Sequence, residues 1–247
     1  MIIAMDVGGT KISAALMDKG KIIEQRKIET VIHSDLVNLA EHLIKLCHGW
    51  IEKSEHVAIA CTGQVGCEYV NFLSAKTKLP LKSQLEAGFN MPVFILNDAA
   101  AAAWAEYCVI KESEKKTHAL PINESDETLV YITVSTGIGG GMIQNGQLVT
   151  STDGFCAHLG HVSVQHKEQQ SIPCHCGRIN CAEAIASGTA IAKQASKILG
   201  KTVSCKEVFQ QIPHAEHLLT LSFSFSNSLS SSKICIFSPI FKFSYTS

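Results

Sequence analysis

The chain opens on a short apolar run, Ile2 to Val7, interrupted by Asp6, and turns through Gly8-Gly9-Thr10 into a second run, Lys11 to Leu16. Two such runs around a Gly-Gly turn predict a β-hairpin. Asp18-Lys19-Gly20-Lys21 then turns the chain into Ile22 to Ile28, the third strand of a meander. From Ser34 the period lengthens. Leu36, Leu39, Ala40, Leu43, Ile44, Cys47 and Ile51 recur at three- and four-residue spacing behind Ser34 or Asp35, which predicts an amphipathic helix. Val57 to Cys61 and Val93 to Leu96 are short buried strands, and Ala99 to Ala105, leading to Glu106, has the highest helix propensity in the chain. Lys111 to Glu127 is charged and holds a proline, as expected of a connection between two halves. Beyond it, Thr128 to Val134 predicts a buried strand, Ser135 to Gly141 a glycine-rich turn into Met142-Ile143, and Ala182 to Leu199 one helix with Ala184, Ile185, Ile191, Ala192, Ala195 and Leu199 on its apolar face.

Strands mixed with helices predict an α/β protein, and in open α/β sheets ligands bind at the carboxyl edge of the strands. Polar groups cluster there. Asp6 ends the first strand, where a carboxylate can face a hydrated magnesium ion, and Gly8, Gly9 and Thr10 offer backbone amides and a hydroxyl to phosphates. An ordinary tight hairpin is the alternative reading. Asn97-Asp98 falls where strand becomes helix, so Asp98 is either the helix cap or a catalytic carboxylate. The run Gly137-Ile138-Gly139-Gly140-Gly141 is no dinucleotide fingerprint, because the third glycine of G-x-G-x-x-G would fall on Met142, and no G-x-x-x-x-G-K-[ST] loop occurs. Two Gly-Thr hairpins, one in each half, instead suggest two related domains closing on a nucleotide's phosphates.

Cys174, Cys176 and Cys181 stand at C-x-C-x4-C spacing, downstream of His158 and His161. Three thiolates and one imidazole make a closed tetrahedral zinc site of the structural kind, with Gly177 helping the backbone turn back on itself. His161 is the preferred fourth ligand. His158 and His175 compete with it, although His175, set between two ligand cysteines, is expected to point outward. Free buried thiols or a disulfide are the alternative.

Composition narrows the setting. With 247 residues, 46% of them apolar, the chain can bury a sizeable core in one large or two modest domains. Its 21 basic and 22 acidic side chains leave a formal charge of −1, which provides no footprint for nucleic acid or an anionic membrane. Ten cysteines, and an opening apolar run too short for a secretory signal, predict the reducing cytoplasm with most thiols free. No apolar run approaches the roughly eighteen residues of a spanning helix.

Taken in order, Asp6-Val7-Gly8-Gly9-Thr10-Lys11, Asn97-Asp98, Ser135 to Gly141, His158-Leu159-Gly160-His161 and Cys174-x-Cys176-Gly177-x3-Cys181-x-Glu183 resemble the ROK family, the repressor, open-reading-frame and kinase group of sugar kinases, from Ile2 to about His217. The resemblance implies the actin-like ATPase (ribonuclease H-like) fold, two α/β domains with ATP and sugar in the cleft between them, here expected at 1–112 and 128–217 with the second domain incomplete. Most members carry Glu three residues before the zinc-binding histidine. Here that position is His158, as in the bacterial members that phosphorylate N-acetylmannosamine in sialic acid breakdown. The implied reaction moves a phosphoryl group from MgATP to the sugar's 6-hydroxyl, with Asp98 as general base. Asn97, His158, His161 and Glu183 would meet the sugar, Asp6 would reach magnesium through water, and Gly8, Gly9, Thr10, Lys11, Thr136, Gly137, Gly139 and Gly140 would cradle the phosphates. His161, Cys174, Cys176 and Cys181 would hold zinc, and a homodimer is the expected assembly.

A glucokinase or other hexose kinase of the same family is the nearer alternative, and an inactive remnant the further one. A ROK transcription repressor needs a helix-turn-helix ahead of the strand that here begins at Ile2. From Leu218 to Ser247 the composition shifts: 15 of 30 residues are Ser or Phe, and all 17 glycines lie before this stretch. That predicts an aberrant tail from truncation or frameshift, with little activity in the chain as it stands, against the alternative of an alternating strand over Leu219 to Ser226.

Overall fold

The computed structural model describes residues 1–73, 75–117, 128–154, 156–164, 171–211 and 232–237. The chain divides into two compact units: Met1–Ala101 with Thr150–Cys156, and Ala102–Val149 with Ala157–Ser247.

In the first unit, β1 (Ile2–Val7), β2 (Lys11–Asp18) and β3 (Lys21–Glu29) form the expected meander. Two parallel strands, β4 (His56–Cys61) and β8 (Val93–Asn97), extend the sheet to the order β3-β2-β1-β4-β8. Because strand side chains alternate, Ile3, Met5 and Val7 face the core while Asp6 falls on the opposite, exposed side. Between β4 and β8, β5 (Gln64–Val65), β6 (Val70–Phe72) and β7 (Thr77–Leu79) make a small separate sheet. It is followed by α2 (Leu81–Phe89), whose Leu81, Leu85 and Phe89 recur every fourth residue on one face. Each of these three is at most 1% exposed, and full burial of such side chains is worth about 1.5–3 kcal/mol apiece. Their partners include α1 (Leu39–Leu46), which with β1 and β4 closes the core around Trp50 and Phe72.

The helix expected over Ser34 to Ile51 is broken. A 3-10 turn over Leu36–Asn38 precedes α1, and the chain leaves α1 through Gly49, at φ +83°, before a second 3-10 turn at Ile51–Lys53. The apolar spacing is kept throughout, since Leu36, Leu39, Leu43 and Cys47 are all buried. Burial pushes the Cys47 thiol up to about 12, partly opposed by the nearby Arg26 charge. The unfolded thiol ionises first, so as pH rises the unfolded state binds fewer protons than the native one and stability falls. The urea midpoint is therefore expected to drop between the ordinary thiol range near 9 and about 12, and Cys47→Ala should flatten that dependence.

In the second unit, β9 (Thr128–Val134), β10 (Ile138–Gln144) and β11 (Gln147–Leu148) repeat the antiparallel meander. β12 (Ser232–Phe237) adds parallel to β9, giving the order β11-β10-β9-β12. The position matches that of β4 beside β1, so part of the Ser/Phe-rich stretch joins the sheet. The alternating stretch Leu219 to Ser226 lies outside the described residues. Helix α3 (Asp98–Thr117) runs well past Ala105 and through Lys111, where a connection was expected, and its Ala103 and Tyr107 pack with Leu129, Tyr131 and Ile143. The helix expected over Ala182 to Leu199 is two helices, α4 (Ala182–Ala186) and α5 (Gly188–Leu199). Ser187, at φ −69° and ψ 161°, leaves the helical region, and its hydroxyl accepts the Ala190 N–H as the cap of α5. The short helix α6 (Cys205–Gln211) follows. Among the described residues no helix is long and apolar enough to cross a membrane.

Candidate active site and metal centre

Parallel pairing brings the carboxyl ends of β1, β4 and β8 to one edge of the first sheet: Val7 is level with Cys61, and Cys61 with Asn97. Asp6, the turn after β1 and Asn97-Asp98 therefore share that edge. Gly8 N–H donates to the Lys11 carbonyl at 3.0 Å, closing the turn. Thr30, the residue after β3, secures it, its hydroxyl donating to the Gly8 carbonyl at 2.9 Å and its N–H to the Thr10 carbonyl at 3.2 Å. Gly9, Thr10 and Lys11 are exposed. Asp6 is exposed as a residue, yet the protein around its carboxyl raises its pKa by desolvation, the cost that a bound cation would offset.

At the start of α3 the expected division of labour shifts. Asn97 is the cap: its Oδ1 accepts the N–H groups of Ala99 at 3.0 Å and Ala100 at 3.3 Å, while its Nδ2 donates to the Gly63 carbonyl at 3.0 Å. Such a cap is worth about 0.5–2 kcal/mol. Asp98 is exposed, with Oδ1 accepting the Ala99 N–H at 2.9 Å. The strand continues to Asn97, so the cap position falls one residue earlier than Asp98.

In the second unit the turn between β9 and β10 consists of Ser135, Thr136 and Gly137, with Val134 paired to Ile138. Gly139 and Gly140, expected in a phosphate cradle, already lie in β10 opposite Thr133 and Ile132. The turn is tied to α5, where Gly188 N–H donates to the Ser135 carbonyl at 2.8 Å and the Thr189 hydroxyl to the Thr136 carbonyl at 2.9 Å. It is also tied to α4, since Ile138 N–H donates to Glu183 Oε2 at 2.8 Å.

His161 closes a 3-10 turn over Leu159–His161, and the chain returns through Pro173 to Ile179, with Gly177 at φ +88° making the reversal that an L side chain resists. This brings one donor atom each from His161, Cys174, Cys176 and Cys181 within 4.8 Å of one another. A tetrahedral zinc with Zn–S of about 2.3 Å and Zn–N of about 2.05 Å holds its ligand atoms roughly 3.8 Å (S to S) and 3.6 Å (S to N) apart. Cys176 Sγ and Cys181 Sγ are 3.7 Å apart, and Cys174 Sγ is 3.6 Å from His161 Nδ1. The donor set fits the ion.

Burial, aided by the neighbouring thiols, pushes Cys181 up to about 12, and burial also raises Cys174. Cys176 moves the other way: burial acts upward, but hydrogen bonds from the Arg178 backbone and the other two thiols outweigh it. Burial holds His161 below the usual imidazole range, which keeps a neutral ring for coordination, although the Glu183 carboxylate opposes the shift. His158 stacks on His161 with centroids 6.1 Å apart.

His175 does not point away from this centre. It is more than half exposed, yet its ring meets His161 edge-on at 5.4 Å and its Nε2 lies 3.4 Å from Glu183 Oε1. His161, His175 and Glu183 thus form a second close trio. Spacing between two cysteines did not reveal this, because the Gly177 reversal sets which way residue 175 faces.

Two sheets that each repeat an antiparallel meander with a parallel strand beside its first member define the class of actin-like ATPase folds. The ROK family signature matches residues 2–225. An N-acetylmannosamine kinase of Vibrio cholerae serotype O1 is 34% identical over 228 residues, covering 89% of this chain and 74% of that protein. An N-acetylmannosamine kinase of Salmonella newport is 39% identical over 199 residues, covering 78% of this chain and 63% of that one. The crystal structure of a ROK family glucokinase from Streptomyces griseus, in complex with glucose and AMPPNP, matches with a TM-score of 0.61 at 30% identity, over 81% of this chain and 62% of that one. The chain belongs to the ROK family, among its sugar kinases.

Proposed function

We propose that this chain transfers the γ-phosphoryl group of MgATP to the 6-hydroxyl of N-acetylmannosamine. The observation that carries the substrate is the 34–39% identity to kinases of that sugar, together with His158 at the position three residues before His161. ATP as donor is supported by the AMPPNP bound in the glucokinase relative. In this reading Asp98 accepts the proton of the attacking hydroxyl, and the Asn97 amide, held by Gly63 and the start of α3, offers its remaining N–H to a neighbouring hydroxyl. The backbone amides of Gly9 and Thr10, and those of Thr136 and Gly137, are the phosphate donors of this reading, in a reaction where positioning and charge stabilisation do most of the catalytic work. Asp6 would hold a magnesium ion, which when bound would supply positive charge against the phosphates.

His161, Cys174, Cys176 and Cys181 would hold zinc, which when bound would fix the orientation of the His161 ring. Nδ1 of His161 faces the Cys174 thiol, and in this reading His161 and the neighbouring His158 ring meet the sugar. A reducing cytoplasmic setting belongs to the same reading, resting on the cysteine-rich composition. The test is a side-by-side assay of N-acetylmannosamine and glucose with MgATP. N-acetylmannosamine should show the higher kcat/KM; a higher value for glucose would overturn the assignment in favour of a glucokinase.

A further inference from the structure

The carboxylate of Glu183 has two unlike oxygens. Oε2 accepts the Ile138 N–H at 2.8 Å, at the end of the turn that carries Thr136 and Gly137. Oε1 is buried and has no hydrogen-bond partner among the described residues, with His175 Nε2 at 3.4 Å. A buried carboxylate oxygen without a donor is costly, so the site stands ready for a hydroxyl or N–H from elsewhere. Gly137 shows how closely the turn and this carboxylate are fitted, since a Cβ built there would stand 2.5 Å from Glu183 Oε2. The same turn is held from α5 by Gly188 and Thr189, so it has few ways to move independently of Glu183.

We propose that Glu183 couples the two substrates, its Oε2 fixing the phosphate turn while its Oε1 receives a sugar hydroxyl, so that binding of either substrate strengthens binding of the other. The coupling rests on the reading that Glu183 meets the sugar. A hydroxyl arriving at Oε1 displaces the exposed His175 ring and locks the carboxylate into the orientation that Ile138 requires. The cost of ordering this side chain and the attached turn is then met once for two ligands, which is positive cooperativity without a change of fold. Linkage makes the effect reciprocal: the factor by which sugar tightens nucleotide equals the factor by which nucleotide tightens sugar.

The experiment is calorimetric titration of the full zinc-loaded chain with AMPPNP, without and with saturating N-acetylmannosamine. Sugar should tighten AMPPNP by about 5–150-fold, the usual span of coupling between sites. In Gly137→Ala the added methyl displaces the flexible carboxylate from Ile138, so sugar alone should still bind while the factor falls towards one. Glu183→Asp keeps the charge but is one methylene too short to serve both sides, and it should lose the factor in the same way should Gly137→Ala fail to fold. If both ligands bind the unsubstituted chain independently, or if AMPPNP fails to bind even with sugar present, the coupling is wrong while the sugar reading stands. A substituted chain that retains the full factor overturns the Ile138 contact as its carrier. If the sugar does not bind at all, the reading of Glu183 as a sugar contact falls, and the coupling with it.

Discussion

Asp98→Asn is expected to lower phosphoryl transfer by about 10²-fold or more while leaving sugar affinity nearly unchanged. The substitution separates two roles that overlap at the start of α3. As a helix-terminal acceptor, Asp98 takes the Ala99 N–H through Oδ1, and an asparagine carbonyl can take the same bond. The cap itself is Asn97, which the substitution leaves in place. Asn and Asp are also nearly equal in capping strength, so a purely structural Asp98 predicts an unchanged melting temperature and an unchanged rate. A general base predicts an unchanged melting temperature and a rate lost by orders of magnitude, because an amide cannot accept the hydroxyl proton. Retention of more than about a tenth of the turnover would remove Asp98 from the base role.

The second large effect is expected on removing zinc. Purified chain should carry about one zinc atom, and stripping it with a chelator should loosen the reversal from Cys174 to Cys181, since structural zinc contributes about 10–16 kcal/mol of apparent binding energy in small zinc domains. Cys181, at 0% exposure, is the ligand least able to be replaced by water, so Cys181→Ser should bind metal far more weakly than the unsubstituted chain. Full metal content in that variant would exclude Cys181 from the ligand set. The pH dependence follows from the thiols. Burial and mutual proximity hold Cys181 near 12 without a cation, so its proton must leave when zinc binds, and zinc affinity should fall steadily as pH drops. Metal analysis after dialysis at successive pH values measures it directly.

Much of the fold was legible because its rules are local. The apolar run from Ile2 to Val7, the Gly8-Gly9 turn and the run from Lys11 form a hairpin through residues that are neighbours in the chain, and the structure pairs Val7 with Ile12 as that pattern requires. The C-x-C-x4-C spacing brought three thiols together for the same reason, since a short reversal around Gly177 needs no distant partner. The failures lie where a local preference met a tertiary one. Ala182 to Leu199 reads as one helix by propensity, but the Gly188 N–H is held by Ser135 from another element, and the helix breaks at Ser187 to reach it. Leu81 to Phe89 carries helical spacing in only three apolar residues, and its burial depends on α1.

By itself, then, the order of residues determined the meanders, the strand ends that carry Asp6 and Asn97-Asp98, and the cysteine cluster, because hydrogen-bonded hairpins and short reversals are set by side chains a few positions apart. Only the tertiary structure decided that Asn97 rather than Asp98 caps α3, that His175 turns towards Glu183, and that Glu183 reaches the amide of Ile138. The physical reason is direction. Which way a side chain points depends on the phase of its own element and on partners that can lie 45 positions away in the chain, as Ile138 does from Glu183, and no local spacing specifies either.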